Sequence, residues 1–364
     1  MTEQQHPRAV AGPDDALPAV PWLPSVLRRA WRAPGVLQIG VEDRRAVVLR
    51  NVTAAAATFI GRLDGSRAVD DVIDEGPLAP DEAVRLLTAL DAHGVLVDLA
   101  DEHAAGNGRA RHPALAGALS PEIHGRALGR LSVSPSAVLE QRARAHIVIV
   151  GGNRLATAIA AVLAGSGIGR LGLVHAGAVT PTDLVPGGPA ADDVGRPRQD
   201  ALRRSITRAY PRVTVGPVGA SDCPDLVVLA EAVDPCGDRA RMLMRSGTRF
   251  LNAVIRERRG IVGPFVVPGE SSCLECQDAV RRDLDPHWSP LASQLRAYPP
   301  TPADGGELCL VMLCASLAVT QVLQWLDSER LPETLNATLE IALPELVVER
   351  RYWPRHTECP CRIP

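Results

Sequence analysis

The stretch HIVIVGGNRLATAIAAVLAGSGIGRLGLVHAG, residues 146–177, decides the fold of the larger part of this chain. An apolar run meets a glycine pair, an alanine-rich segment follows, and a second apolar run starts after Gly169. That order is the layout of a βαβ unit, whose buried parallel strands read as near-continuous apolar runs. The helix of such a unit points its N-terminus at the glycine turn, where anions are favoured. Here the turn reads Gly151, Gly152, Asn153, Arg154, Leu155, Ala156, and the second strand ends on His175 instead of the acid that would hold a ribose. The layout is that of a nucleotide site, while the side chains are not.

Composition bounds the rest. With 364 residues, 46% of them hydrophobic, and a formal charge of −3, the chain can bury a sizeable core and is expected to hold two domains. The near-neutral balance gives no general attraction to nucleic acid or anionic membrane. There is no lysine, so chemistry that needs a lysine nucleophile, Schiff base or phosphate-gripping ammonium is excluded. Residues 1–20 lack a basic start followed by an apolar core, so a flexible arm over 1–21 and a cytoplasmic protein are expected. The most apolar run, LCLVMLCASLAVTQVLQWL at 308–326, is interrupted by Ser316, Thr320, Gln321 and Gln324 and reads as a buried core helix, since a membrane span needs ~20 apolar residues.

Eight cysteines in a long chain without a secretion signal point to metal ligands and buried thiols, not to disulfides. Cys273 and Cys276 form CLEC, and Cys359 and Cys361 form CPC near the end of the chain. Four thiolates suit tetrahedral zinc and leave no open position for water, which predicts a structural metal. The single-residue spacer in CPC leaves His356 as an alternative ligand. Cys309 and Cys314 fall in the apolar helix, and Cys223 and Cys236 near strand ends, all read as inert thiols.

Before a Gly/Ala-rich break at 100–118, read as a linker, the chain carries two short strands, VLQIG and RAVVLRN, and then three amphipathic segments. Thr53 and Pro80-Asp81 are expected helix starts, and Gly61, Gly65 and Gly94 turns or ends. The pattern predicts a winged-helix-like module over 22–99. Its candidate recognition helix, PDEAVRLLTALDAHG, has three acids against Arg85 and would repel DNA phosphates. The element order resembles the PqqD-type peptide-recognition modules of ribosomal-peptide modification systems. The resemblance implies that a precursor's leader peptide adds as a strand to the sheet edge; a purely structural or dimerising module is the other reading.

Residues 145–364 resemble the ThiF family, which includes the ubiquitin-activating-type adenylating proteins. The resemblance rests on an ordered series: the glycine-turn segment, DVGRPRQDALRRSITRAYPRV, PDLVVLAEAVDP, GIVGPFVVPGESSCLECQD and the final ECPC. It implies an α/β fold, a Rossmann-like doubly wound sheet over 119–364, homodimerisation, and adenylation of a C-terminal carboxylate with ATP. It also implies that Cys273, Cys276, Cys359 and Cys361 hold the family's structural zinc.

Against the family's GxGGLG only Gly151 survives in place. Arg154 sets a bulky side chain where backbone should approach phosphate, adding about 1–2 kcal/mol of strain if the turn needs positive φ. The ribose acid is His175, the next acid of the pair is Gly177, and the phosphate lysine is Arg198. Asp183 and Leu184 are retained from the SNL-like turn, while its following basic residue falls near Pro186 or Gly187. Asp234 matches the acid that carries Mg2+, with a turn residue before Pro235 as its other reading, and Cys236 is the nearest candidate for a thioester-forming cysteine. The resemblance therefore implies a degenerate nucleotide site made of Gly151, Gly152, Asn153, Arg154, His175, Arg198 and Asp234, with ATP and Mg2+ poorly held. Joined to the N-terminal module, this resembles the leader-peptide-binding partner proteins of azole and azoline pathways, which present a precursor to a separate cyclodehydratase. An active adenylyltransferase, with Arg154 as a phosphate clamp, is the rival expectation.

Overall fold

The structure, a computed structural model, describes residues 17–43, 46–100, 117–127, 135–219, 222–231, 237–297, 306–327 and 331–362. The chain divides into two compact units, 1–137 and 138–364.

In the first unit, β1 (Pro21–Trp22) is followed by β2 (Arg29–Ala33), β3 (Val36–Ile39) and β4 (Val47–Arg50). Then come α1 (Ala54–Gly61), α2 (Val69–Asp74), α3 (Pro80–Ala92), β5 (Val97–Asp98) and α4 (Ser120–Ala127). Strands β2, β3 and β4 form an antiparallel sheet in that order, and β1 pairs with β5. Helices α1 and α3 begin where capping chemistry places them. Thr53 accepts a hydrogen bond from the Ala56 amide at 3.1 Å, and Pro80 opens α3, where a missing N–H costs nothing. Apolar faces of the helices and sheet meet in a core of Ile39, Phe59, Ile60, Leu63, Leu87 and Leu90, all essentially fully buried. Strand β2, RAWRA, was not expected: every residue in it is exposed, so it carries no period-2 signal. Most of the 100–118 segment lies outside the described residues.

In the second unit, α5 (Pro135–Arg144), which starts at the division, leads into β6 (His146–Val150), α6 (Arg154–Gly165) and β7 (Arg170–Val174). These are followed by α7 (Arg198–Ala209), β8 (Thr214–Gly216), β9 (Leu226–Leu229), α8 (Asp238–Arg245) and the strands β10 (Phe250–Arg256) and β11 (Arg259–Val266). Next are α9 (Leu274–Leu284), α10 (Trp288–Ala297), α11 (Leu308–Leu326), β12 (Ala337–Ala342) and β13 (Val348–Tyr352). The eight strands form one sheet in the order β13-β12-β11-β10-β9-β6-β7-β8. Pairing is parallel from β10 through β9, β6 and β7 to β8, and antiparallel from β10 to β13. The chain leaves β6 toward β7 and β8, then returns to lay β9 on the other side. The C-terminal end of β6 is thus a topological switch point, where open α/β sheets form their ligand crevices.

Packing explains the alanine-rich helix. Ala156, Ala158, Ala160 and Ala164 of α6 are buried, and their small side chains let the helix lie close to the sheet. The helix α11 is long and apolar enough to cross a membrane, yet its buried face, from Leu310 and Val311 to Val322 and Leu326, packs against α6, β10 and β11. Its C-terminal end is anchored by a buried ion pair in which Arg142 Nε and Nη2 donate to the Asp327 carboxylate at 2.9 and 2.8 Å.

Candidate functional site

Gly151 follows the last residue of β6 with φ +143°, and a Cβ there would lie 2.2 Å from the Ala230 carbonyl oxygen. The glycine is needed for close backbone approach at the sheet's crossover, whether or not a ligand is present. Asn153 is the N-cap of α6: its Oδ1 accepts from the Ala156 amide at 2.9 Å, and its Nδ2 donates to Ala230 O at 2.8 Å. One side chain therefore caps the helix and ties it to the end of β9.

Arg154 is the first residue of α6 and does not have a positive φ, so the strain foreseen for it is absent. Its Nη1 donates to the Gly306 carbonyl at 2.9 Å, just ahead of α11. This arginine links the starts of two core helices. That contact supports neither the blocking nor the clamping role expected of it.

At the end of β7, His175 is 3% exposed, and neither ring nitrogen has a hydrogen-bond partner among the described residues. Burial, and then the Arg198 guanidinium, push its pKa down to about 4 against an opposing pull from Asp183, so the imidazole is neutral at pH 7. A carboxylate at this position would accept two hydroxyl protons; a neutral imidazole has one acceptor and one donor.

Arg198, the first residue of α7, is held in place. Its Nη2 and Nε donate to Asp183 Oδ2 at 2.8 and 3.2 Å, and its Nη1 donates to the Ala176 carbonyl. Asp183 Oδ2 also accepts from the Thr180 amide and hydroxyl at 2.7 and 2.9 Å. Both members of the pair are largely buried. A Cβ on Gly152 would sit 3.1 Å from Arg198 Nη1, so the guanidinium already fills the space before the glycine turn. Asp234 and Cys236 lie outside the described residues.

The cysteines come together across 82 residues of intervening sequence between Cys276 and Cys359. All four sulfur atoms lie within 4.8 Å of one another. The Sγ separations are 3.8 Å for Cys273 and Cys276, 3.7 Å for Cys273 and Cys359, and 3.3 Å for Cys276 and Cys361. Sulfurs at the corners of a tetrahedron around zinc are about 3.8 Å apart. The donor set thus fits a tetrahedral metal. Burial drives the Cys359 thiol up to about 12, whereas the Cys273 S–H contact stabilises the Cys276 thiolate. Without a cation, crowding opposes ionising all four.

Cys273 is the N-cap of α9 and Cys276 lies in its first turn, where the helix dipole favours thiolate. The tail that carries the other pair is fixed by Trp353, 1% exposed, whose Nε1 donates to Thr338 Oγ1 at 3.0 Å. The guanidinium groups of Arg281 and Arg351 stand over its ring at 4.9 and 4.2 Å. His356, the alternative ligand, pairs instead with Asp283 at 2.8 Å. Cys314 is buried as expected, and Cys223 and Cys309 are exposed.

Sequence reading missed the Arg198–Asp183 pair, the double role of Asn153 and the anchoring by Trp353. The first of these had a signal in the sequence: an acid retained from the SNL-like turn in a segment that also retains a basic residue at 198.

Among known families, residues 124–361 match the ThiF family. No curated protein sequence matches at a significant level. Solved structures do. The microcin C7 biosynthetic enzyme MccB in complex with N-formylated MccA superposes with a TM-score of 0.67 at 16% identity, covering 94% of this chain and 99% of that one. MccB of E. coli with ATP gives a TM-score of 0.66 at 16% identity with the same coverage. PaaA gives 0.64 at 15%, covering 90% of this chain and 98% of that chain. At such identities the likeness shows the fold, and it extends over both units.

Proposed function

We propose, from the premise that this chain belongs to the ThiF family, that it is a peptide-binding scaffold of ribosomal-peptide modification built on a degenerate adenylation site. Its N-terminal module, 22–99, holds a precursor's leader peptide, and the chain presents the rest of that precursor to a separate cyclodehydratase. The observation that carries this reading is the state of the nucleotide crevice. A neutral buried histidine replaces the ribose acid, and the one retained cation, Arg198, is tied to Asp183 in front of the glycine turn. Breaking a buried pair of this kind costs roughly 3–5 kcal/mol. A triphosphate that needs that arginine would have to meet the cost from its own contacts.

The N-terminal sheet supports the peptide role. Its edge strand β2 has a register break between Trp31 and Ala33 and carries Arg29 and Arg32, features that discourage strand addition. Strand β4 pairs with β3 without interruption from Val47 to Arg50, which makes β4 the edge for a guest strand. Main-chain hydrogen bonds there give affinity, and tethering raises the effective concentration of the precursor's remainder at the partner enzyme. The tetracysteine cluster holds a structural Zn2+, which cross-links the C-terminal tail to α9. The working protein in this reading is a cytoplasmic homodimer that engages neither nucleic acid nor membrane.

The second reading is an active ThiF-type adenylyltransferase acting on a peptide or carrier-protein carboxylate. It is favoured by the near full-length likeness to an enzyme solved with ATP. Two measurements on the full chain separate the readings. The scaffold is expected to bind the peptide of a neighbouring short open reading frame saturably, and to give no peptide-dependent ATP–pyrophosphate exchange. Robust exchange establishes the second reading; failure to bind any such peptide removes the first.

A further inference from the structure

The two edges of the eight-stranded sheet are built differently. At one edge, β8 has only three residues and runs into Gly216-Pro217, so it offers little to a neighbouring strand. At the other, β13 pairs with β12 without a break from Val348 to Tyr352, contains no proline, and has every residue exposed. Among the described residues no strand pairs with its outer side. Leu346, Val347, Val348 and Tyr352 put four exposed large apolar side chains into this short segment. Such an edge is a template for another strand unless something covers it.

The order of its side chains selects the occupant. Trp353 N–H donates to Asn336 O at 2.8 Å, so alternation directs the amides of Val348, Arg350 and Tyr352 away from β12, to the free side. Antiparallel strands set residues of like direction opposite each other, so β13 can meet its own copy only in registers centred on one residue. Centring on Glu349 or on Arg351 sets that residue against its own charge. Centring on Arg350 sets Glu349 opposite the partner's Arg351, twice, at the non-hydrogen-bonded positions where side chains are closest, and sets Val348 opposite the partner's Tyr352. The Arg350 charge at the axis is already countered within its own chain: Nε donates to Glu333 O at 2.9 Å and lies 3.7 Å from the Glu333 carboxylate. Glu349 is weakly engaged, since Arg259 binds Glu340 at 2.9 Å and lies 3.7 Å from Glu349. Arg351 stacks on the Trp353 ring and has no carboxylate partner among the described residues.

We propose that β13 is the contact surface for a second copy of this chain, joining the two large sheets edge to edge about a two-fold axis at Arg350. The inference rests on the homodimer reading above and supplies the face and the register that reading leaves open. Outward amides and carbonyls of Val348, Arg350 and Tyr352 pair across the axis, and the two Glu349–Arg351 contacts fix the alignment.

Sedimentation velocity of the full chain over a range of concentrations tests this. The unaltered chain should form a reversible dimer. Glu349→Arg and Arg351→Glu should each weaken it about tenfold, because the two-fold axis counts every substitution twice. An equimolar mixture of the two variants should associate about as tightly as the unaltered chain, since each contact between positions 349 and 351 then joins unlike charges. Misfolding of either variant would not give that recovery. Arg350→Pro removes an outward amide and spares the bonds to β12, so it should abolish the dimer with the circular dichroism spectrum unchanged. A monomer at every concentration overturns the pairing and the homodimer reading together. A dimer equally stable in both charge variants overturns the pairing alone and assigns the homodimer to another surface. Failure of the mixed variants to recover likewise overturns the pairing.

Discussion

Arg154 and His175 occupy the two positions that depart furthest from a nucleotide site, and the structure gives them different meanings. Arg154 is a helix-to-helix link through Gly306. Replacing it by glycine removes that hydrogen bond and adds a poor helix former, which should cost about 1–2 kcal/mol in urea denaturation. ATP affinity, followed by titration, should not rise. His175 stabilises the folded state in its neutral form, because its pKa falls from 6.5 to about 4 on folding. The sign follows: the contribution is fully present above pH 6.5 and declines as pH falls toward 4, by at most roughly 3 kcal/mol. His175→Asn should therefore show a flatter loss of stability than the unaltered chain between pH 6.5 and 4, measured as urea midpoints. Much of this residue-level detail was legible: the positions of Gly151 and His175 follow from the apolar run and the glycine pair. The destination of the Arg154 side chain was not, because Gly306 is far away in sequence and no local pattern records a side-chain-to-carbonyl contact.

At the level of elements, the sequence reading succeeded where burial writes a period into the chain. Helices α1 and α3 start at Thr53 and Pro80 as their capping chemistry requires, and α11 spans the interrupted apolar run from end to end. It failed for β2, whose side chains are all exposed, since a strand held only by backbone pairing leaves no hydrophobic trace. The cysteine pairs were legible as pairs, but their meeting depends on the tail returning along β13 past Trp353, a long-range event. Two expectations belong to this scale. Single proline substitutions along Val47, Val48, Leu49 and Arg50 should lower peptide affinity at alternate positions only, those whose N–H faces the free edge, with circular dichroism confirming that the helices persist. A loss without that alternation would place the peptide elsewhere. Deleting residues 359–364 should release the metal, read as zinc content per chain, and lower the melting temperature of the second unit.

For the whole molecule, the decisive fact is that the two units have separate cores. The apolar cluster around Phe59 and Leu87 draws only on the N-terminal unit, and those around Ile149 and Phe250 only on the C-terminal one. Three of the four clustered cysteines, Cys273, Cys276 and Cys359, are themselves members of the cluster with Phe250, Val148 and Leu229. A cation bound by the four thiolates would brace the sheet side of the second unit as well as the tail. Free energy of metal binding is folding free energy only for the unit whose ligands it gathers. Stripping the metal with a chelator should thus accelerate amide exchange in α9, in the tail after Trp353 and in the strands beneath them. Amides of α1 and α3 should keep their protection, and peptide affinity at β4 should persist. Hydrogen exchange with mass readout, before and after chelation, resolves the units within one sample. Loss of protection in α1 and α3 together with α9 would mean that the metal supports the whole chain, and the division of labour between a peptide-holding unit and a zinc-braced scaffold would fall with it.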